Sequence, residues 1–346
     1  MTGSAGTLRA GIWEVAPGRE CRRLERLRAL VIPGNAAGFC PAGSLLAVAA
    51  RDGVAVWDLQ TNQRIGSLAA GDSRSAIFLP DGSGLLTSGA GGIHRWPIER
   101  NVTTDAIQMG EPSTLWPEAV EHMALTPDGQ ALIAVGVKES DADALFIRLH
   151  EPAAPVQISG HRGSTWVSLS PDGRWFASGN WKGRGVSVRE LPTGRPVATL
   201  PVGENVSVAF SKDGRWLVTG SPVEYRYWDV RSWQPGRGIA REEAGDYVGA
   251  MVFSPDGRLL VLAQRRDTLL QILDAESGRP LATLEAGVPL GFSEDSRLLV
   301  TLAEDERTVL LWDLALIRGQ LAALNLDWSA SEPGGPGRPN PAGVSR

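Results

Sequence analysis

Cysteine, histidine, tyrosine and lysine are all scarce in this chain of 346 residues. Two cysteines, Cys21 and Cys40, cannot build a disulfide framework and are read as reduced thiols. The four histidines (His94, His122, His150 and His161) stand far apart, with no HExxH or other ligand pair, so no metal site is expected. No P-loop, dinucleotide fingerprint, GxSxG elbow or kinase signature occurs, so no catalytic residue and no cofactor is assigned. Apolar runs are short. LLAVAA (Leu45–Ala50) is typical of the longest, well under the roughly 18 residues of a membrane helix. The first residues lack a charged head followed by an apolar stretch, so no secretory signal is expected and a cytoplasmic location is. A net charge of −5 and a pI near 5.5 leave no overall footprint for nucleic acid or an anionic membrane.

What the chain does contain is a repeated phrase. It reads FCPAG at Phe39, FLPDG at Phe78, LTPDG at Leu125, LSPDG at Leu169, FSKDG at Phe210, FSPDG at Phe253 and FSEDS at Phe292. The spacings are 39, 47, 44, 41, 43 and 39 residues. A period in the low forties is that of four-stranded propeller blades. In each phrase an apolar residue ends one strand, Pro sets φ for a turn, Asp bonds its own backbone, and Gly takes the positive φ that follows. A nearly continuous apolar strand comes next, as in RWFASG (174–179) and RWLVTG (215–220), which fits burial on both faces. A second phrase of alternating character follows: VAVWDL, IHRWPI, LFIRLH, VSVREL, YRYWDV, LQILDA and VLLWDL. A turn such as TGRP (193–196) then leads to a short fourth strand. Seven such copies predict an all-β fold, a seven-bladed β-propeller of four-stranded antiparallel blades.

The dipeptides Trp57-Asp58, Trp228-Asp229 and Trp312-Asp313, each just before a turn, resemble those of WD-repeat proteins over nearly all of residues 7–314. The resemblance is to divergent bacterial, planctomycete-like members. It departs from the eukaryotic pattern in one respect: the single Gly160-His161 dipeptide lies in a blade with Arg189 in the tryptophan position. The family's His, Ser/Thr, Asp and Trp hydrogen-bonded tetrad is therefore expected to be incomplete in every blade.

WD-repeat rings close by lending the last blade a strand from the N-terminus, which spares an open edge. ECRRLERL (20–27) is the candidate, and the preceding GIWEV (11–15) leaves an eighth, partial blade as the alternative to seven. At the other end Leu314, Ile317, Leu321, Leu324 and Trp328 share one helical face, predicting a short helix at about 314–328 capped by Asp313. The expected organisation is one propeller domain over 7–328 and a disordered Pro/Gly-rich tail over 329–346.

Function is then sought on surface loops, where a rigid scaffold presents its binding residues. Loops joining second to third strands, and loops entering innermost strands, collect on one end of a propeller. They carry Arg51, Arg74, Trp116, Trp181, Lys182, Arg184, Tyr247, Arg265 and Arg266, side chains of the type that dominates interfaces. Acidic loops nearby (Asp141, Asp143, Glu304, Asp305 and Glu306) make this end mixed in sign, which suits a protein or peptide partner better than nucleic acid. Asp141 and Asp143 themselves are read as a solvated loop. The expectation is a non-catalytic scaffold, monomeric on its own, with no membrane partner. The alternatives are a propeller enzyme (hydrolase or quinone-dependent oxidoreductase) and a detached sensor region of a kinase-like multidomain protein.

Overall fold

The computed structural model describes residues 20–27, 36–100, 107–137, 142–152, 154–183, 185–245, 247–265, 268–305, 307–324 and 326–328. Seven antiparallel sheets stand around one axis. Blades 1 to 6 cover 37–68, 73–116, 122–158, 164–200, 207–240 and 251–284, and blade 7 covers 289–313. In each blade the strands are called a to d from the axis outward. The a strands touch in sequence around the whole ring, blade 7 meeting blade 1. The hydrophobic core is likewise divided: separate clusters fill the wedges between neighbouring blades, with one larger cluster spanning blades 6, 7 and 1. A strand such as Leu45–Ala50, buried at every residue, follows from that packing on both faces.

The ring has seven blades. The fourth strand of blade 7 is Cys21–Arg26, paired antiparallel to Thr308–Asp313 with Cys21 opposite Trp312. Leu24 and Leu27 are buried against the seam, and Arg22 crosses it to the Leu59 carbonyl and the Asn62 side chain of blade 1. The GIWEV segment lies outside the described residues. Blade 2 departs from the four-stranded pattern. Its long c strand, Gly92–Arg100, pairs with Ser113–Trp116 along one half and with an extra short strand, Ile107–Met109, along the other.

The repeated phrase owes its geometry to a residue that the sequence reading passed over. The hydroxyl of Ser254 donates to Asp256 Oδ1 (2.5 Å) and accepts the Leu259 N–H (2.9 Å), while Asp256 Oδ1 also accepts the Arg258 N–H (3.0 Å). Gly257 then sits at φ 72°, where a Cβ would be strained. Thr126, Ser170, Ser211 and Ser293 occupy the same position with the same bonds. In blade 1 the thiol of Cys40 takes the hydroxyl's place, accepting the Leu45 N–H at 3.1 Å.

The WD aspartates cap the next hairpin. Asp58, Asp229 and Asp274 each accept one or two backbone N–H groups of the following turn. Asp313 uses the same acceptor to start the helix Leu314–Ala323, taking the Leu316 N–H at 2.9 Å. That helix is shorter than expected. It ends at Leu324, and Trp328 lies beyond it, with Arg318 bonded to Asp327 and placed 5.8 Å over the Trp328 ring. Among the described residues no helix is long and apolar enough to cross a membrane.

Candidate functional site

One end of the ring carries the a–b turns, the c–d hairpins and the helix that follows Asp313. The other carries the b–c loops and the d–a connections, and it includes every described residue proposed for binding. In blade 4 a glycine near the end of strand b lets the next blade's entry cross closely: a Cβ on Gly179 would lie 1.9 Å from the Val206 carbonyl oxygen. The loop Pro201–Asn205 is thereby held beside the loop that starts at Trp181, with the Val206 N–H bonded to the Asn180 carbonyl.

The tetrad is split between blades. Trp96, Trp228 and Trp312 each donate their indole N–H to a strand-b threonine, Thr87, Thr219 and Thr301, at 3.0 to 3.1 Å. Blade 4 keeps the opposite half. His161 Nδ1 lies 2.8 Å from Ser178 Oγ and 2.9 Å from Ser164 Oγ, and Nε2 lies 3.2 Å from Asn180 Nδ2. Arg189, buried where the tryptophan would be, donates instead to Ser187 Oγ and to the carbonyls of Ser159 and Gly194. Burial, and then the Arg189 charge, hold the His161 pKa below its ordinary value. Asp143 is no solvated side chain: its carboxylate accepts the backbone N–H groups of Gly160 and His161, because the GH turn of the next blade presses against it. Asp141 and Glu306 lie outside the described residues, and Glu304 and Asp305 are exposed.

Of the residues proposed for binding, Arg184 and Arg266 lie outside the described residues. Arg51 and Lys182 are exposed on b–c loops of blades 1 and 4. Trp181 is 45% exposed, its ring tilted against the buried Trp166 at 5.9 Å, and Tyr247 is 41% exposed on the connection from blade 5 to blade 6. Trp116 is half-buried and packs into the wedge between blades 2 and 3. Two arginines are already engaged. Arg74 lies 3.3 Å from Asp72 and 3.4 Å from Glu121, and Arg265 lies 3.1 Å from Glu242.

Between Trp181 and Tyr247 the loop end opens into a cleft that the sequence reading missed. It measures about 580 Å³ and is walled by Val202 and Glu204 from the blade 4 to blade 5 connection and by Val223, Glu224, Arg226 and Trp228 from blade 5. Val223 is 58% exposed, on the b–c loop of blade 5. Its loop is the counterpart of the Trp181 loop one blade on, and that equivalence was the available signal.

The inner strands hold little that could do chemistry. Among their described residues there is no Asp or Glu and one histidine, His122. His122 is fully buried and accepts the Val167 N–H at Nδ1 (3.4 Å), and burial pushes its pKa down to about 4. No group of three or more His, Cys, Asp or Glu side chains suited to a metal occurs among the described residues.

The family described as "WD domain, G-beta repeat" matches residues 154–184 and 194–222. Both stretches run from a d strand through the a and b strands of the following blade, in blades 4 and 5. The chain is a seven-bladed propeller with WD40 repeats in blades 4 and 5. Comparison with the curated proteins finds no match. Among solved structures, the propeller is similar to a chain titled Kuenenia stuttgartiensis hydrazine synthase, at 15% identity and a TM-score of 0.64, over 82% of this chain and 97% of that one. At that identity the likeness is one of fold, and 1438 structural matches make this fold too widespread to carry a function with it.

Proposed function

We propose that the WD40 propeller is a non-catalytic interaction module that binds a protein or peptide at its loop end. The observation that carries this reading is the placement of Trp181, Val223 and Tyr247. Three of the most exposed large apolar side chains stand on neighbouring loops of blades 4 to 6 at one end of a rigid ring. Singly exposed apolar groups need no explanation, but a set flanking a cleft marks an interaction site. Aromatic anchors of this kind carry much of the energy of an interface. A paired charge on the same side of the ring, Arg265 with Glu242, supplies part of a polar rim.

The test is affinity capture from the organism that encodes the chain, read by mass spectrometry. A Trp181→Ala, Tyr247→Ala, Arg265→Glu variant is expected to lose the proteins that the parent chain enriches, with its thermal midpoint within a degree or two, as for surface substitutions. An unchanged set of captured proteins would sink the assignment of this end.

A further inference from the structure

We propose that the cleft between blades 4 and 5 receives a basic side chain, arginine in preference, from an extended apolar-flanked segment of a partner peptide; this rests on the reading of the loop end as a peptide-binding face. The argument is an account of charge and of hydrogen-bonding capacity in the cleft wall.

The one cation in the wall is neutralised. Arg226 grips Glu224 through Nε and Nη2, with Nη2 at 2.9 and 2.8 Å from the two carboxylate oxygens, and turns Nη1 toward the Gly236 carbonyl. Two further side-chain donors of the wall point inward. Ser221 Oγ donates to the Glu224 carbonyl, and Trp228 Nε1 donates to Thr219. Pro201, Pro222 and Pro235, all in the wall, have no N–H to offer. The Glu204 carboxylate is exposed on the rim, and no described cation pairs with it. With Glu224 and Arg226 cancelling, the wall carries one net negative charge.

A wall of this composition offers an anionic acceptor and apolar surface from Val202 and Val223, while its arginine, serine and indole donors are engaged within the protein. An acidic ligand would meet a wall of its own sign. A guanidinium brings five N–H donors and a stem that packs on apolar surface. The volume, about 580 Å³, lies within the range of pockets that enclose a ligand. Flanking prolines in the partner would hold the segment extended and limit the entropy lost on binding.

The probe is the peptide acetyl-Ala-Pro-Arg-Pro-Ala-amide, titrated into the full chain and followed by NMR at the Val202 and Val223 methyl groups and the Trp228 indole. The same peptide with citrulline or glutamate in place of arginine serves as comparison. Saturable shifts at these three groups are expected with the arginine peptide. Citrulline should bind about three- to five-fold more weakly, the worth of a partly exposed ion pair. Glu204→Gln should lower the arginine peptide to the citrulline level and leave the citrulline peptide unchanged. Equal binding of arginine and citrulline, tighter binding of glutamate, or no saturable shift at these groups would overturn the proposal. The two readings fail separately. If the peptides do not bind but the Trp181 and Tyr247 variant still loses captured proteins, the cleft assignment falls and the binding face stands. If the arginine peptide binds and capture ignores those loops, the reverse holds.

Discussion

At the turn end of the ring the same bonds recur from blade to blade, whereas at the loop end no two blades present the same side chains. The turn end is closed upon itself. In blades 3 to 7 the leading Ser or Thr hydroxyl and the aspartate of the repeated phrase find partners within five residues, and the Asp256 N–H of blade 6 bonds to Ser296 of blade 7. Hydrogen bonds from Thr126 and the Gln130 backbone hold the Asp128 carboxyl below the usual carboxylate range, and those of Ser232 do the same for Asp229. At the loop end the next blade crosses closely over strand b, at Gly179 and Gly220, and the intervening loops vary in length and leave Trp181, Val223 and Tyr247 in solvent. The difference teaches that one repeat can separate its duties. Local satisfaction at one end supplies the stability that lets the other end carry exposed apolar groups and a cleft.

The comparison can be broken or sharpened by substitution, and the largest effect belongs to pH. His122 begins the inner strand of blade 3 at the loop end, but it is buried and neutral. Its folded pKa, pushed down to about 4, lies below the unfolded value of about 6.5, so the unfolded chain takes up the proton first. Stability is therefore fully present above pH 6.5 and falls as pH drops toward 4, by up to about 3 kcal/mol from this group. Urea midpoints measured across that range should fall, and His122→Gln should flatten the slope. An equal slope in the variant would remove His122 as the cause.

Ser254→Val comes next. It strands the Leu259 N–H and removes one of the two bonds to Asp256 Oδ1, and should cost about 1 to 2 kcal/mol in chemical unfolding while leaving partner capture intact. Thr219→Val leaves the buried Trp228 indole N–H unpaired and should cost roughly 1 to 2 kcal/mol. The smallest change in stability, under about 0.5 kcal/mol, is expected from Trp181→Ala combined with Arg265→Glu, which should nevertheless reduce binding. If Ser254→Val abolished capture at unchanged stability, the division between the two ends would be wrong.

Much of the ring was legible before any coordinates. Seven turn phrases gave the blade count, the alternating strands gave their order, and ECRRLERL was recognised as the closing strand because an exposed edge suits charge. The helix start at Asp313 was also readable. Its end was not, because the spacing of Leu324 and Trp328 continues a helical face that the chain itself abandons at Leu324. The role of Ser254 and its equivalents was hidden for another reason: a small polar residue beside a proline reads as ordinary turn composition, and only the bond to the N–H five residues on shows its use. The described residues proposed for binding do share one end of the ring, yet sequence could not tell that Arg74 and Arg265 are engaged by Glu121 and Glu242. Those partners are 47 and 23 residues distant in the chain and meet only across blade junctions.

The sequence by itself determined what is periodic: the number of blades, the strand order within each, and the turn chemistry that separates them. These depend on contacts within some 40 residues, so each repeat states them in its own letters. Only the tertiary structure decided what lies between repeats. The capture of the Gly160-His161 turn by Asp143 and the cleft shared by blades 4 and 5 depend on how closely neighbouring blades approach. That approach is set by side chains packed in the wedges on both faces, a property of pairs of blades that no single repeat encodes.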